Sequence, residues 1–417
     1  MMHGTTRPRG YPVPTMTHFA LDNATLWIGD GGAREGHVVV RDGIIDAVGD
    51  GRYAGDLEAV DLRGGALSPG LIDLMVLGGF DLSILRDDPL QIARQMLTLG
   101  VTSCEFCGGM LPWDDMKRTC DNVRRAMAYT GVDTARVLGI YLEGPFEHPE
   151  RTGAALAEHA LPPTQAHVRR VLDEVGDAVP MINVSPGTPG DVDAIRALTR
   201  AGKVVSMAHS DAPGERVLAC VEAGTSVLGH VWNNHNGALA ELGVQQPTLE
   251  HVALTDDRVR FIHMICDGTH VHPIIVRLVL RCRGVESLCL VTDAVTRAGC
   301  PDGPYESDDG RRFCKKHGVG RTDGDGLCGS GLLLPDHLRN FINFTGTPAH
   351  EAIRTVTLNP ARSLGLDDRV GLIAPGRAAD LVLWDEALRV RRVWRAGRQV
   401  ANLSDLMEVQ LRSGAAL

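Results

Sequence analysis

VDAIRALTRAGKVVSMAHSDAPGERVLACVEAGTSVLGH, residues 192–230, decides the fold. It holds two segments with helical spacing, VDAIRALTRAG and GERVLACVEAG, each leading through a glycine into a short apolar run, Val204–Ala208 and Ser226–His230. The first kind repeats apolar residues at intervals of three and four, and the second is nearly continuous. Continuous short runs belong to strands buried on both faces, in a parallel sheet covered by helices. The alternation extends in both directions. Further runs lie at Leu71–Leu77, Val101–Cys107, Val137–Leu142, Met181–Val184, Val259–Ile265 and Leu288–Val291. Stretches such as PLQIARQMLTLG and MKRTCDNVRRAMAY between them again have helical spacing. Eight runs over roughly 225 residues match a (β/α)8 barrel, which takes about 250. An open doubly wound sheet is the alternative, but no GxGxxG follows an early strand.

Outside this region the pattern changes. HFALDNATLWIGDG and HVVVRDGIIDAVGDG read as strands and turns, with Asp42-Gly43 between two apolar runs as a hairpin signal. The tail has the same character: VGLIAPGRAADLVLWD, then RVRRVWRAGRQVA with Gly397 at a turn. Neither end is large enough to fold alone, so both are expected to build one small domain. The expected fold is therefore α/β: a TIM-like (β/α)8 barrel over residues 69–369, with a small β-sandwich from residues 18–68 plus 370–417. Residues 1–17 read as a flexible extension.

Composition excludes several classes. The 417 residues are 44% hydrophobic and 23% charged, which is ordinary globular usage and rules out a disordered, collagenous or coiled-coil chain. Aromatic residues are 4%, so the core must be aliphatic. With 42 Lys+Arg against 52 Asp+Glu, the net charge of -10 gives no global reason to bind nucleic acid or an anionic membrane. The ten cysteines lie in apolar stretches and read as reduced core thiols. Cys104 and Cys107 form a CxxC without a second pair, which reads as core packing rather than a zinc site. The first sixteen residues hold no apolar segment, and no run reaches the roughly 18 apolar residues of a membrane helix. A soluble, cytoplasmic protein is expected.

Barrels of this kind present their chemistry at the C-terminal ends of the strands. The third run ends in Glu143, the fifth in His209, the sixth in His230 and the eighth in Asp293. Each alone is an ordinary strand-end polar residue. Together, one carboxylate and two imidazoles are a three-ligand set with room for water, as in a catalytic zinc site. The metal lowers the pKa of that water, and a further carboxylate, Asp293, takes its proton and delivers it to a leaving amine.

At this point the sequence resembles the amidohydrolase superfamily, specifically the N-acetylglucosamine-6-phosphate deacetylases. The resemblance runs from about Ala20 to Val400 and rests on an ordered series: LSPGLID (67–73), YLEGPF (141–146), AHSDA (208–212), GHVWN (229–233), CDGTHVHP (266–273), LVTDAV (290–295), LCGSGL (327–332) and NPARSLGL. It implies metal ligands at Glu143, His209 and His230, an acid/base at Asp293, and a homodimer. It also implies a small-molecule amino-sugar substrate contacted by His270, which polarises the scissile carbonyl, and by the Asn233-Asn234 loop. His272 reads either as a support for the residues that touch substrate or as structural.

Departures from the family pattern shape the rest. The strand-one histidine pair that holds a second metal in many amidohydrolases is Met75 and Leu77 here, and neither replaces imidazole. One divalent ion is therefore expected, zinc first and iron as the other candidate. The run after LEGPF reads Arg151-Thr152-Gly153-Ala154-Ala155, so Ala154 and Ala155 fall where the family touches substrate, and a family histidine is Ala155. The family's phosphate-binding arginine falls on Glu241, in NNHNGALAELG, which has no Lys or Arg and adds His235 and Asn236. A carboxylate there repels a phosphate dianion that an arginine fork would hold, unless Arg297, Arg151 or a partner-chain residue substitutes. The favoured reading is deacetylation of an N-acetyl amino sugar. Two others remain: a deacylase of a non-phosphorylated N-acyl amino sugar or related amide, and a catalytically silent binding barrel. Ser307–Gly326 is polar and reads as either a flap or a hairpin excursion.

Overall fold

The computed structural model describes residues 17–153, 155–233, 240–241, 244–306, 312–322 and 327–400. Five strands open the chain: β1 (His18–Trp27), β2 (Ala33–Arg41), β3 (Ile44–Asp50), β4 (Ala59–Asp61) and β5 (Ala66–Pro69). The β2–β3 hairpin turns on Asp42 and Gly43, at φ 48° and 79°. Positive φ at both central residues is the turn whose twist matches paired strands, and Gly43 adopts it without Cβ strain.

The barrel follows directly: β6 (Leu71–Val76), β7 (Val101–Gly108), β8 (Arg136–Phe146), β9 (Met181–Val184), β10 (Val204–Met207), β11 (Val227–Leu228), β12 (Phe261–Ile265) and β13 (Leu288–Val291). They pair in chain order, every pair parallel. A bridge between Val76 and Ala294, with Leu77 N donating to Ala294 O at 2.9 Å, joins the first strand to the exit of the last. The helices between strands include α1 (Pro89–Thr98), α2 (Trp113–Met127), α3 (Gln165–Glu174), α4 (Asp191–Arg200), α5 (Gly214–Ala223), α6 (Leu249–Thr255) and α7 (Pro273–Arg283). The apolar runs read from sequence coincide with these strands to within a few residues, because a strand buried on both faces leaves a continuous apolar signature.

Alternation sorts the strand residues. On β7, Cys104 and Phe106 pack outwards against the helices, while Cys107 faces the barrel interior with Tyr141, Met181, Val227, Ile265 and Val291. The CxxC thus points its two thiols to opposite faces of a strand and cannot chelate one ion. Both are buried, and burial pushes both thiols well above their ordinary range.

Asp73 on β6 helps close the barrel. Its carboxyl takes the Thr292 N–H at 3.2 Å and the Thr292 hydroxyl at 2.7 Å. Burial pushes its pKa up to about 6, and the hydrogen bonds from Thr292 and Met75 only partly offset it. A raised folded-state pKa means the stabilising form is the protonated one. That contribution is complete below pH 4 and is lost as the pH rises through about 6. Asp73→Asn is therefore expected to fold and to lose about 2 kcal/mol less stability than the wild type between pH 4 and pH 7. Urea unfolding at the two pH values checks this; identical pH dependence would remove the assignment.

Beyond β13 the chain makes an antiparallel excursion: β14 (Gly303–Glu306), β15 (Arg312–Lys316), β16 (Val319–Thr322) and β17 (Leu327–Ser330). The stretch read as flap or hairpin is a meander in its described residues. Lys315 anchors it, donating from Nζ to the carbonyls of Arg297 (3.1 Å) and Cys300 (2.6 Å). α8 (Leu334–Thr345) returns the chain to the barrel, and β18 (Leu381–Trp384), β19 (Val390–Arg395) and β20 (Arg398–Val400) end the described residues.

The last three strands join the first five in one sheet, in the order β20-β19-β18-β5-β1-β2-β3 with β4 on β1. Leu21, Leu26, Val38, Ile45, Leu381 and Trp394 share its core, so the sheet closes over its own apolar face as a small sandwich. Buried Asp380 binds it to the barrel: its oxygens accept from Arg136 of β8 (3.0 Å), Arg395 (3.1 Å) and the Ala396 N–H (2.7 Å). No helix among the described residues is long and apolar enough to cross a membrane.

Candidate active site

Three strand ends converge. Glu143 lies on β8, His209 two residues beyond β10 and His230 two beyond β11. His209 Nε2 is 3.2 Å from Glu143 Oε1 and 3.1 Å from His230 Nε2, and His230 Nε2 also contacts Glu143 Oε1. The three ligand atoms lie within 4.8 Å of one another, and the imidazole planes stand at 90°. Both histidines are buried.

The donor set fits a small divalent cation. His209 Nδ1 lies 2.7 Å from the Arg151 carbonyl oxygen, which only accepts, so Nδ1 carries the proton and Nε2 presents a lone pair. That lone pair faces another imidazole nitrogen and a carboxylate oxygen, an arrangement that needs a positive charge at its centre. Nitrogen and oxygen donors of this mix, three in number, are those of an open catalytic site. Where protons supply the positive charge, the same electrostatics appear as shifted pKa values. Burial opposes a charged His209, but Glu147 and Glu143 outweigh it and push the imidazole up to about 10. His230 is raised against burial by Glu143. Burial also opposes ionised Glu143, yet the two histidines hold it well below the usual carboxylate range.

Asp293 lies outside this three-atom group and borders it. Burial raises its pKa to about 7, the charge of Glu143 adds to the rise, and His230, His270 and His209 oppose it. Its backbone is held in the left-handed region at φ 50°, as is that of His209 at φ 53°. Such conformations are costly for residues with a Cβ and persist where the surroundings fix them. Here the Ser330 N–H donates to the Asp293 carbonyl at 3.0 Å, from the end of β17. Gly329 makes that approach possible, since a Cβ there would meet the Asp293 carbonyl oxygen at 2.8 Å. The LCGSGL motif thus supports the strand-eight carboxylate.

His270 is buried on the loop after β12 and bonded through Nδ1 to Asp267 Oδ2 at 2.6 Å. Asp267 also accepts the backbone N–H of Thr269 and His270, each at 2.8 Å. Burial works against its ionisation, but His270 and these bonds lower its pKa to about 2. His272 caps α7, its Nδ1 accepting from Ile274 N at 3.2 Å, a structural role. Asn233 turns back on His230 O at 3.1 Å. Ala155 closes a turn with Thr152, whose hydroxyl donates to Ala155 O at 2.9 Å; this is the turn whose Arg151 carbonyl orients His209. Ala154, Asn234, His235 and Asn236 lie outside the described residues, as does the Glu241 side chain. Met75 is fully buried among the interior apolar residues with Leu77 packed against them, so the end of β6 supplies no metal donor.

Sequence reading missed two carboxylates. Asp267 was signalled only by the DGT turn ahead of His270. Glu147 is buried with Oε2 3.4 Å from His209 Nδ1, while burial raises its pKa to about 7 against the lowering effect of His209. Nothing in spacing separates Glu147 from Glu150 three residues on, which is exposed.

Comparison with known proteins agrees with this geometry. The family model for the amidohydrolase family matches residues 66–400. The N-acetylgalactosamine-6-phosphate deacetylase of Escherichia coli O157:H7 is 32% identical over 342 residues, 80% of this chain and 87% of that one. The N-acetylglucosamine-6-phosphate deacetylase of Vibrio furnissii is 32% identical over 353 residues, covering 82% and 85%. Among solved structures, a Mycobacterium smegmatis N-acetyl-D-glucosamine-6-phosphate deacetylase in complex with N-acetyl-D-glucosamine-6-phosphate superposes with a TM-score of 0.82 at 30% identity, covering 92% and 99%. With a matching model over most of its length and relatives of this similarity, the chain belongs to the amidohydrolase family, on its N-acetylglucosamine-6-phosphate deacetylase branch.

Proposed function

We propose that this protein hydrolyses the N-acetyl amide of an amino sugar, releasing acetate and the free amine. The observation that carries the reading is the convergence of Glu143, His209 and His230 from three strand ends, with Asp293 bordering them. These three residues would hold one divalent ion, zinc first and iron as the other candidate, which supplies Lewis acidity and lowers the pKa of water. Asp293 accepts the proton of the attacking water as its oxygen bonds to the carbonyl carbon. The carbon–nitrogen bond then breaks, and Asp293 returns that proton to the departing amine. His270, held through Nδ1 by Asp267, presents its other ring nitrogen to the carbonyl oxygen as negative charge develops there. Asn233, Asn234, Ala154 and Ala155 are the proposed sugar contacts. The same reading takes the enzyme as a cytoplasmic homodimer whose small domain is residues 18–68 plus 370–417.

A second reading, a substrate without a phosphate, is favoured by one observation. Both arginines close to the site in sequence are occupied: Arg151 Nη2 and Nε lie 2.7 and 3.2 Å from Asp211 Oδ2, and Arg297 Nη1 lies 2.5 Å from Asp81 Oδ1. Acetate release from N-acetylglucosamine, N-acetylgalactosamine and their 6-phosphates tests both. Hydrolysis of the 6-phosphates with kcat/KM at least tenfold above the free sugars supports the deacetylase reading as the relatives' names print it. The reverse preference supports the second reading. No release from any of the four removes the proposed activity.

A further inference from the structure

The buried carboxylate of Glu147 is costly unless something needs its charge. An apolar side chain would fill the same space more cheaply, and among the described residues Glu147 makes no ion pair other than the His209 contact at 3.4 Å. A line of polar groups runs through the barrel interior to it. Asn183 on β9 donates from Nδ2 to Glu147 Oε1 at 2.8 Å. Ser206 Oγ on β10 lies 3.3 Å from Asn183 Oδ1 and 3.0 Å from the Tyr141 hydroxyl. Ser206 has one proton and three acceptors in reach, Asn183 Oδ1, the Tyr141 hydroxyl and the Ile182 carbonyl at 3.4 Å; when the proton goes to Asn183 Oδ1, Tyr141 donates to Ser206. In that arrangement every dipole points the same way, and the line ends on the carboxylate as a stack of donors. All four side chains are buried.

We propose that Glu147 is a positioning residue for His209: its charge, fixed by Asn183, Ser206 and Tyr141, orients the imidazole and strengthens Nε2 as a metal donor. The Arg151 carbonyl sets the tautomer and Glu147 adds the charge, so one ring nitrogen faces two acceptors while the other faces Glu143 Oε1 and His230 Nε2. Such outer carboxylates typically change metal affinity 10- to 100-fold. The inference rests on the reading that Glu143, His209 and His230 hold an ion.

The test is equilibrium competition for Zn2+ between the protein and a chromogenic chelator, at one pH, for the wild type, E147Q, E147D and Ser206→Ala. E147Q keeps the shape and loses the charge; its affinity is expected to fall about 10- to 100-fold. E147D keeps the charge and is expected to recover most of that loss. Ser206→Ala removes a donor two steps away and is expected to cost about 2- to 5-fold. Wild-type affinity in E147Q, or equal loss in E147Q and E147D, overturns the proposal. If E147Q does not fold, Ser206→Ala decides, and unchanged affinity there overturns it. A wild type that binds no Zn2+ instead refutes the metal-site reading on which this stands.

Discussion

Asp293→Asn is expected to bind its ion normally and to release acetate about 10³-fold more slowly, the range for removing a general acid/base. The amide keeps the shape and hydrogen-bonding reach of the carboxylate, so the backbone held by Ser330 and Gly329 is preserved. KM should stay within a few-fold, because Asp293 acts on the water and the leaving amine rather than on the sugar. A second signature is the pH profile. Asp293 must be ionised to accept a proton, so kcat/KM falls as the pH drops through its pKa. In the ion-free protein that value is raised to about 7, with burial as the first cause. A cation beside the carboxylate lowers it, placing the acidic limb below 7 in the loaded enzyme. Asp293→Asn loses this limb. Steady-state rates across pH with metal content measured on the same samples check both; undiminished turnover in the variant removes Asp293 from the mechanism.

His230→Ala is expected to abolish metal binding and activity together. His230 Nε2 contacts both other donors, so its loss leaves Glu143 and His209 as a two-ligand set. Metal content should fall from one ion per chain to none, and turnover by at least about 10³-fold, since neither the nucleophile nor the carbonyl is then activated. The ion also links to stability: at a thousand times its Kd it adds about 4 kcal/mol to the folded state. Adding Zn2+ should therefore raise the wild-type melting temperature and leave that of His230→Ala unchanged. A variant that keeps its ion and its rate would show that the chemistry lies elsewhere.

The barrel was legible because its strands are short and buried on both faces, and the convergence of Glu143, His209 and His230 because each ends or follows such a run. Met181–Val184 and Leu288–Val291 were bounded correctly for that reason. Less was legible where burial and not pattern decides. Glu147 and Glu150 are the same residue type in one polar stretch, and only the tertiary structure buries the first. Asn183, Ser206 and Tyr141 read as incidental polar residues on apolar strands; their connection spans three strands and has no local period. The Arg151 carbonyl is invisible for a different reason, since a backbone atom leaves no trace in residue identity. The 307–326 stretch left two shapes open because RRFCKKHGVGRT alternates only weakly, and the anchor that settles its described part, Lys315, bonds to distant carbonyls.

The pairing of β5 with β18 has a bearing on biosynthesis. Ser68 accepts from the Trp384 indole across 316 positions of chain. A ribosome must therefore translate every barrel strand before the partner of β5 exists. Until then the β5 edge is uncovered, in a molecule whose remaining layers can already collapse, and open edges of that kind invite intermolecular association. The other N-terminal strands pair among themselves, so β5 alone waits, and its edge stands open from the emergence of Leu67 to the emergence of Leu383.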